Sequence, residues 1–349
     1  MIARSKNYLI FAAVLLGLVA VVAGVAVVSS GILFCPVAAS GNPAPRYLSS
    51  PAERTGDSCI VFMSDTQSPM WLETLLLRTD ENEKATRKLM LEVARDSACS
   101  AVVHLGDITS RGGCEAEWQA FDVLSAPLRR AGTAFFPIPG NHDYYFNEKS
   151  ARRSFRSRFS VPEMKWYTVR FDSLAVVLLN SNFNRMDERE AREQDRWLVR
   201  TLASLDRDPS VALIVVGCHH SPYTNSTIVD PSREVQDRFV PAFLASRKAR
   251  LFLSGHAHAF EHFRVDGKDF LVIGGGGGLL HPLLMGSERR WPDRFPGPER
   301  RMFHYLRCTL DANAAEFTVM MLKPGDGFRR AYAVKISTRL SHSRERGNP

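Results

Sequence analysis

The stretch AVVHLGDITSRG, residues 101–112, joins a mostly apolar run to a polar turn that is flanked by glycines. Residues 101–105 have the apolar, β-branched content of a short buried strand, and Asp107 follows almost as soon as the run ends. The same arrangement recurs along the chain. Ligands in open α/β sheets bind beyond the carboxyl ends of the strands. The recurrence therefore predicts an α/β fold whose functional site lies at its strand ends.

Around this stretch, short apolar runs alternate with amphipathic ones. The runs 59–63, 101–105, 134–138, 174–180, 211–218 and 251–254 are predicted to be strands, and 82–97, 115–131, 190–205 and 233–247 to be helices. After residue 254 the pattern changes to strands with few helices, at 260–265, 270–273, 303–310, 316–322 and 332–336. An alternating first half followed by a strand-rich second half predicts an α/β sandwich with a mixed sheet.

Five of these strand ends carry oxygen or imidazole side chains. In chain order they read Ser64-Asp65-Thr66-Gln67, Gly106-Asp107, Gly140-Asn141-His142-Asp143, Gly217-Cys218-His219-His220 and Gly255-His256-Ala257-His258. A single Asp after a strand usually caps a turn, and a single buried His is usually a core residue. Five in succession are not expected from independent caps. The set suits a pair of divalent cations that activate water for an in-line displacement, with Asp107 able to bridge them.

The order of the five blocks resembles the calcineurin-like metallophosphoesterase superfamily, whose pattern is D-x-H, G-D-x-x-x-x-G, G-N-H-D, a strand-end His and G-H-x-H. The resemblance covers residues 59–336. It implies two β-sheets packed face to face with helices outside (αββα). It also implies hydrolysis of phosphate mono- or diesters by water activated at two divalent metal ions, with Mn, Fe, Zn and Mg as candidates.

The resemblance also implies a role for each matching residue. The first metal would be held by Asp65 and His258, with Gln67 at the position of a further ligand, and the second by Asn141, His219 and His256. Asp107 would bridge, His142 would protonate the leaving oxygen and Asp143 would orient His142. A catalytically weak scaffold that binds metal or phosphate on the same fold is the alternative function. The intact His142–Asp143 pair favours catalysis, because a binding module has no use for a proton donor.

Three positions depart from the family pattern. Gln67 replaces the His of D-x-H. Either its amide oxygen ligates and shifts preference from zinc or copper towards manganese, magnesium or calcium, or it ligates nothing. In the fourth block, a gapless match to H-H-P-P makes His219 the ligand, whereas a match to H-x-P makes it His220. Purple acid phosphatases, which the G-H-x-H block resembles in part, have an iron-bound Tyr at the position of Ser110, so no iron(III)–phenolate site is expected.

The N-terminus predicts a membrane anchor. Residues 8–28 contain no charge, and Arg4 and Lys6 precede them. This length suits a membrane span, and the positive-inside rule leaves the N-terminus in the cytoplasm. We therefore expect a single-pass protein of the cytoplasmic (inner) membrane with its domain on the exported, periplasmic side. Cleavage near Ala38-Ala39 is the alternative.

The predicted organisation has four parts. They are the signal anchor 1–34, a spacer 35–57 rich in Pro, Ala and Ser, the metallophosphoesterase domain 58–336 and a disordered basic tail 337–349. About half of the net charge of +8 lies at the two ends, so no nucleic-acid partner is expected. The six cysteines contain no C-x-x-C motif, and an oxidising compartment would permit disulfides whose pairing the sequence leaves open. The sequence predicts no oligomeric state.

Three further segments receive predictions. The glycine cluster 274–278 is expected to form a turn beside the metal site, since it lacks the G-x-G-x-x-G spacing of a dinucleotide site. His281 could either touch substrate or cap its loop. The basic and aromatic segments 152–165 and 286–301 are expected to be solvated faces, with anionic headgroups or phosphates as the alternative.

Overall fold

The structure is a computed structural model that describes residues 35, 43–49, 59–69, 81–297, 302–311, 313–325 and 327–338. The predicted membrane span 8–28, most of the spacer and the tail from residue 339 lie outside these ranges, so the predictions made for them stay predictions. Within the described ranges, no helix has the length and apolar character needed to cross a membrane.

Twelve strands in the described part of the chain form two six-stranded mixed sheets. They are β1 (Cys59–Met63), β2 (Cys99–His104), β3 (Ala134–Pro137), β4 (Tyr167–Phe171), β5 (Leu174–Leu178), β6 (Leu213–Cys218), β7 (Ala249–Ser254), β8 (Phe260–Val265), β9 (Lys268–Ile273), β10 (His304–Leu310), β11 (Ala314–Leu322) and β12 (Phe328–Ser337). The strand orders are β12-β11-β10-β1-β2-β3 and β4-β5-β6-β7-β9-β8. Strands β1–β3 are mutually parallel, as are β5, β6, β7 and β9, while the remaining pairs are antiparallel. The predicted two-sheet α/β class is confirmed.

The strands near the site are mostly apolar because both of their faces are covered. In β1, Phe62 belongs to the cluster between the two sheets, which also contains Val176 and Leu253 of the second sheet. Its neighbour Val61 points the other way, into a cluster with Leu89 and other helical side chains. Successive side chains of a strand alternate between faces, so a strand buried on both sides reads as a continuous apolar run.

Seven α-helices among the described residues cover the outer faces. They are α1 (Glu81–Arg95), α2 (Glu115–Leu124), α3 (Ala126–Arg130), α4 (Glu148–Arg158), α5 (Glu188–Arg207), α6 (Arg233–Arg238) and α7 (Val240–Ala245). The single helices predicted for 115–131 and 233–247 are each broken in two. In both cases a proline lies in the first turn of the second helix. At that position its missing N–H loses no helical hydrogen bond, whereas continuing the first helix through the proline would lose one.

The prediction that residues 152–165 form a solvated face holds only in part: Arg153, Arg156 and Lys165 are exposed, but other residues of the segment are buried. Phe155 and Phe159 are buried in the core. Arg158 is fully buried, and its guanidinium lies 2.8 Å from Asp122 Oδ2 and 2.6 Å from Glu115 Oε1. A buried cation needs such paired carboxylates to offset its lost hydration. The side chain therefore ties α4 to α2 and is not available to an external phosphate.

The second basic segment is only partly solvated. Arg290 pairs with Asp230 at 3.0 Å, and its guanidinium also donates to the carbonyl oxygen of Ser226 at 2.7 Å. Phe295 belongs to the core between the sheets. Residues 298–301 lie outside the described ranges.

Part of the predicted spacer packs against the domain. Tyr47 is buried among three phenylalanine rings, and its hydroxyl donates to Asp122 Oδ1 at 2.9 Å. The carbonyl of Leu48 accepts a hydrogen bond from the N–H of Phe135 in β3. A disulfide joins Cys35 to Cys114, immediately before α2, and the other four cysteines are buried thiols. The spacer is thus attached to the domain in both of its described parts, residue 35 and residues 43–49.

Candidate metal centre

The carboxyl ends of strands from both sheets meet at one edge of the sandwich. Asp65 and Asp107 follow β1 and β2 of the first sheet, while His219 and His256 follow β6 and β7 of the second. Backbone hydrogen bonds hold neighbouring turns together: the N–H of Asp65 donates to Gly106, and that of Gly255 to His219. The topology therefore brings residues far apart in sequence to a single place.

Three of the predicted site residues have a left-handed backbone. The φ angles are +59° at Asp65, +55° at Asp107 and +67° at His256. An L-residue pays roughly 1–2 kcal/mol for this conformation, and such strain concentrates at functional sites. The turn is also crowded, because a Cβ on Gly140 would lie 2.1 Å from Asp107 Oδ1. The loops hold these side chains in place at a cost in local conformational energy.

A first group of ligand atoms comes from Asp65, Asp107 and His258, which lie within 4.8 Å of one another. His258 Nε2 is 3.3 Å from Asp65 Oδ1, and its Nδ1 is 2.7 Å from the carbonyl oxygen of Leu279. The carbonyl can only accept, so it fixes the proton on Nδ1 and leaves the Nε2 lone pair facing the carboxylates. A cation suits that arrangement of acceptors.

The amide of Gln67 adds an oxygen to this group. The side-chain amide nitrogen of Gln67 donates to the backbone carbonyls of Asp65 at 3.3 Å and Asp107 at 3.0 Å, and these two bonds orient the amide. The amide oxygen then lies 3.2 Å from His258 Nε2 and 3.3 Å from Asp107 Oδ2. The structure places this side chain, which is 4% exposed, among the donors of the first group.

A second group forms around His219. Its Nε2 is 3.1 Å from Asn141 Oδ1 and 3.3 Å from Asp107 Oδ2, while its Nδ1 is 2.9 Å from the carbonyl oxygen of Leu105. The Asn141 amide nitrogen donates to the Tyr145 hydroxyl at 2.9 Å, which turns the amide oxygen inward. Asp107 Oδ2 thus borders both groups, which is the position of a bridging carboxylate.

Both histidines of the fourth block lie at the site. His219, His220 and His256 place one ring nitrogen each within 4.8 Å of the others. Of the pair 219–220, it is His219 that reaches Asn141 and Asp107, as the gapless alignment implies. His220 lies beside His256, with ring centroids 4.5 Å apart, and its Nδ1 is 2.8 Å from Ser181 Oγ.

The charges of the site suit cations. Burial alone would raise the pKa of Asp107, but His219 and His142 outweigh it and hold this pKa well below its usual range. Burial would lower the pKa of His219, yet Asp107 raises it to about 9. Burial and then His220 lower the pKa of His256, which keeps that imidazole neutral and able to ligate. Buried carboxylates require positive charge nearby, and divalent ions supply it as well as imidazolium does.

His142 lies beside both groups without joining either. The backbone N–H of His142 donates to Asp107 Oδ1 at 2.9 Å, and the ring Nε2 is 4.0 Å from Asp107 Oδ2. Its Nδ1 is 3.0 Å from the carbonyl oxygen of Ser110, which fixes the proton there and leaves Nε2 facing the site. The imidazole is therefore placed at the mouth of the centre.

Asp143 does not orient His142, contrary to the role implied by the sequence. Its carboxylate accepts backbone N–H groups of Gly140 at 2.9 Å and of Ile108 and Thr109 at 3.0 Å each. These bonds join the loop after β2 to the loop after β3. Asp143 therefore positions the backbone around Asp107, and the carbonyl of Ser110 takes over the orienting role.

Several supporting groups have no signal in the sequence. The carbonyls of Leu105, Ser110 and Leu279 are backbone atoms that any residue would provide, and Tyr145 resembles other tyrosines. His281, whose role the sequence left open, stacks on His258 with ring centroids 4.2 Å apart. The block pattern could not have revealed the three carbonyls or Tyr145, whereas His281 was already a candidate from the sequence.

The glycine cluster forms a turn beside the site, as predicted. The N–H of Gly278 donates to the carbonyl of Asp65 at 2.8 Å. A Cβ on Gly278 would lie 2.4 Å from the His258 ring, and one on Gly275 would lie 2.1 Å from the His304 ring. Glycine is required here because the turn passes directly over core and site side chains.

Comparisons with known proteins agree with this fold. The chain aligns with a purple acid phosphatase from yellow lupin (Lupinus luteus) seeds at 17% identity and a TM-score of 0.60, over 81% of this chain and 54% of that one, so it spans about half of that protein. It aligns with GAP50, the anchor in the inner membrane complex of Plasmodium, at 12% identity and a TM-score of 0.61, over 81% of this chain and 89% of that one. A dimetal phosphatase from Danio rerio matches at 14% identity and a TM-score of 0.54, over 82% and 100%.

At these identities the solved structures establish the fold alone, and a search of curated proteins finds no significant match. The family comparison is more specific. A family model described as calcineurin-like phosphoesterase matches residues 60–260, which is more than half of the chain and includes all five strand-end blocks. The chain therefore belongs to the calcineurin-like phosphoesterase family.

Proposed function

We propose that this protein is a metal-dependent hydrolase of phosphate mono- or diesters that uses two divalent cations. The observation that carries the proposal is the position of Asp107 Oδ2, which borders Gln67 and His258 on one side and His219 and Asn141 on the other. A single carboxylate shared by two donor groups is expected of a two-cation site. His142, outside both groups, supplies the acid–base function that a binding scaffold lacks.

The residues of the site have two roles, holding the cations and transferring a proton. When bound, the two cations would supply Lewis-acid activation of water and neutralise charge on the phosphate oxygens. Asp65, Gln67 and His258 would hold one of them, and Asn141, His219 and His256 the other. The Nε2 atom of His142 would carry the proton that passes to the leaving oxygen, while the Ser110 carbonyl keeps Nδ1 protonated and the ring in place.

We further propose that the protein is exported and anchored in the cytoplasmic membrane by residues 8–28. The sequence carries this proposal, through the uncharged stretch and the cations that precede it. A reporter enzyme fused after Pro349 should be active only when the fusion lies outside the cytoplasm. Cytoplasmic activity of the fusion would reverse the topology.

The proposed activity is tested by hydrolysis. We expect the full chain in detergent, supplied with Mn²⁺, Fe²⁺, Zn²⁺, Mg²⁺ or Ca²⁺ in turn, to release phosphate or alcohol from soluble phosphate esters. Aryl and alkyl monoesters and a bis(aryl) diester cover the candidate substrates. No turnover with any of these cations would contradict the proposal and favour a scaffold that binds phosphate.

Variants of Gln67 serve as the control for metal dependence in the same assay. Gln67→Ala removes the amide oxygen beside His258 and should raise the Mn²⁺ concentration needed for half-maximal activity. Gln67→His should retain activity and shift the preference towards Zn²⁺, because imidazole is the softer ligand. Identical curves for the wild type and Gln67→Ala would show that Gln67 does not ligate.

A further inference from the structure

We infer that the metal centre opens onto a lipid surface and that its substrate is a phosphoester lipid presented there. This inference rests on the proposed function and deepens it by naming a substrate class. Two independent observations support it: the exposed apolar side chains around the site, and the place where the disulfide fastens the chain.

Several large exposed apolar side chains lie on the loops that lead away from the centre, and these side chains are called the rim. Within the described ranges, seven are exposed, and four of these belong to loops that also carry site residues: Tyr145 (37% exposed), Phe146 (49%), Ile228 (62%) and Met285 (37%). Isolated exposed hydrophobics are ordinary on protein surfaces. Four on the loops of one polar, charged centre are less ordinary, and they indicate a ligand or surface with an apolar part.

The first side of the rim follows directly from the site. Tyr145 accepts the hydrogen bond of Asn141, and its ring lies 4.5 Å from that of His142, centroid to centroid. Phe146 is the next residue and has a φ of +79°. A bulky side chain in that conformation is unusual, and here the backbone holds the aromatic ring exposed. Aromatic residues of this kind collect at membrane–water interfaces.

The second side of the rim lies on two loops that are paired with each other. The N–H of Thr227 donates to the carbonyl of Pro282 at 2.9 Å, next to the exposed Ile228. Ser226 Oγ lies 3.2 Å from His281 Nδ1, and His281 stacks on the candidate ligand His258. The apolar tips on this side are therefore anchored to the other end of the same centre.

The disulfide limits how far the predicted membrane exit, residue 28, can lie from the first side of the rim. Cys35 is bonded to Cys114, and the residues just before Cys114 run along the site loop: Gly112 N–H donates to the His142 carbonyl and Gly113 N–H to the Tyr145 carbonyl. Only seven residue steps separate residue 28 from Cys35. Such a segment spans at most roughly 25 Å in any conformation. If the chain leaves the membrane at residue 28, the membrane surface lies within about 25 Å of the disulfide.

Charge on the same side suits anionic headgroups. Helix α4 begins two residues after Phe146 and carries the exposed cations Lys149 and Arg153. Basic residues close to a membrane gain energy from anionic lipids, and the gain falls off within a Debye length. A water-soluble phosphate ester would need neither the apolar rim nor this placement, so the lipid is the substrate that accounts for all of these features.

The test compares one lipid and one soluble substrate on the full chain, reconstituted in phosphatidylcholine vesicles that contain phosphatidic acid. Phe146→Asp and Ile228→Asp should lower phosphate release from phosphatidic acid by about ten- to a hundredfold, the value of burying one large apolar side chain. Release from soluble nitrophenyl phosphate should stay within about twofold of the wild type. Val199→Asp, at a 57% exposed position of α5, is the matched control and should change neither rate.

The outcomes separate this inference from the proposed function. Equal losses on both substrates, or lipid rates equal to those of Val199→Asp, would overturn the lipid inference while leaving the phosphoesterase in place. If the wild type hydrolyses neither of these monoesters nor a bis(aryl) diester, the proposed function fails. A fluorophore on Phe146→Cys or Val199→Cys still decides the surface contact. Blue-shifted emission at position 146 alone supports lipid contact, and water-like emission at both positions overturns it.

Discussion

Replacement of Asp107 by alanine is expected to remove bound divalent cations and phosphoester hydrolysis together. Its Oδ2 atom is shared by the two donor groups, 3.3 Å from His219 Nε2 and 3.3 Å from the Gln67 amide. One substitution therefore takes a ligand from both cations, whereas Gln67→Ala affects one. We expect turnover to fall by roughly 10³-fold or more, because several kcal/mol of charge stabilisation is lost and each 1.36 kcal/mol is a factor of ten.

Metal content measured by mass spectrometry beside phosphate release checks this expectation. Asp107→Asn is the matched control, since it keeps an oxygen that can accept the His142 N–H bond but loses the negative charge. It should also lose metal, which separates the charge from the support of the loop. A melting curve by circular dichroism verifies that each variant is folded. Full retention of both cations by Asp107→Ala would rule out the bridging role.

Replacement of His142 by alanine is expected to have the opposite combination of effects: lost turnover and unchanged metal content. The imidazole Nε2 faces the centre but lies outside both donor groups. General acid catalysis is typically worth about 10²–10⁴-fold, and we expect a loss in that range for an alkyl monoester. The loss should be smaller for a nitrophenyl ester, because a good leaving group needs less protonation.

The ratio of alkyl to aryl ester rates measures this effect. Tyr145→Phe is a useful control, because it removes the hydroxyl that orients Asn141 but leaves the imidazole in place. It should change the metal affinity and leave the alkyl-to-aryl ratio unchanged. If His142→Ala equals the wild type on the alkyl ester, His142 is no acid and the scaffold alternative gains support.

The strands were predictable where they are buried on both faces. The runs that became β1, β2 and β6 are apolar except for His104 in the second, so their positions follow from the sequence to within about two residues. Strand β4, Tyr167–Phe171, was missed because it lies at a sheet edge, and its burial alternates along a sequence that contains Thr and Arg. Helix α4 was missed because most of its residues are polar and its Asn147 cap resembles any loop residue.

The site was predictable in its side chains and not in their supports. The five blocks contain every side chain of the two donor groups, since side-chain donors leave a pattern in sequence. Their assignment as metal ligands stays a prediction. The orientation of His142 depends on the Ser110 carbonyl, and that of His258 on the Leu279 carbonyl, and neither leaves such a pattern. Asp143 was given the wrong contact because adjacency in sequence does not show which way a side chain turns.

The centre also determines how the two halves of the sandwich are aligned. Its contacts cross from one sheet to the other, from His219 to Asp107, from His258 to Asp65 and from the His256 N–H to Asp65. Apolar packing between the sheets has little directional preference and tolerates small slips. The polar contacts between the sheets are directional and do not tolerate such slips, so they fix the relative position of the two sheets at one edge. A substitution in the core, for example of Phe62, could slide one sheet by a fraction of an ångström. It would then displace the metal-ligand atoms from their geometry, far from the altered residue.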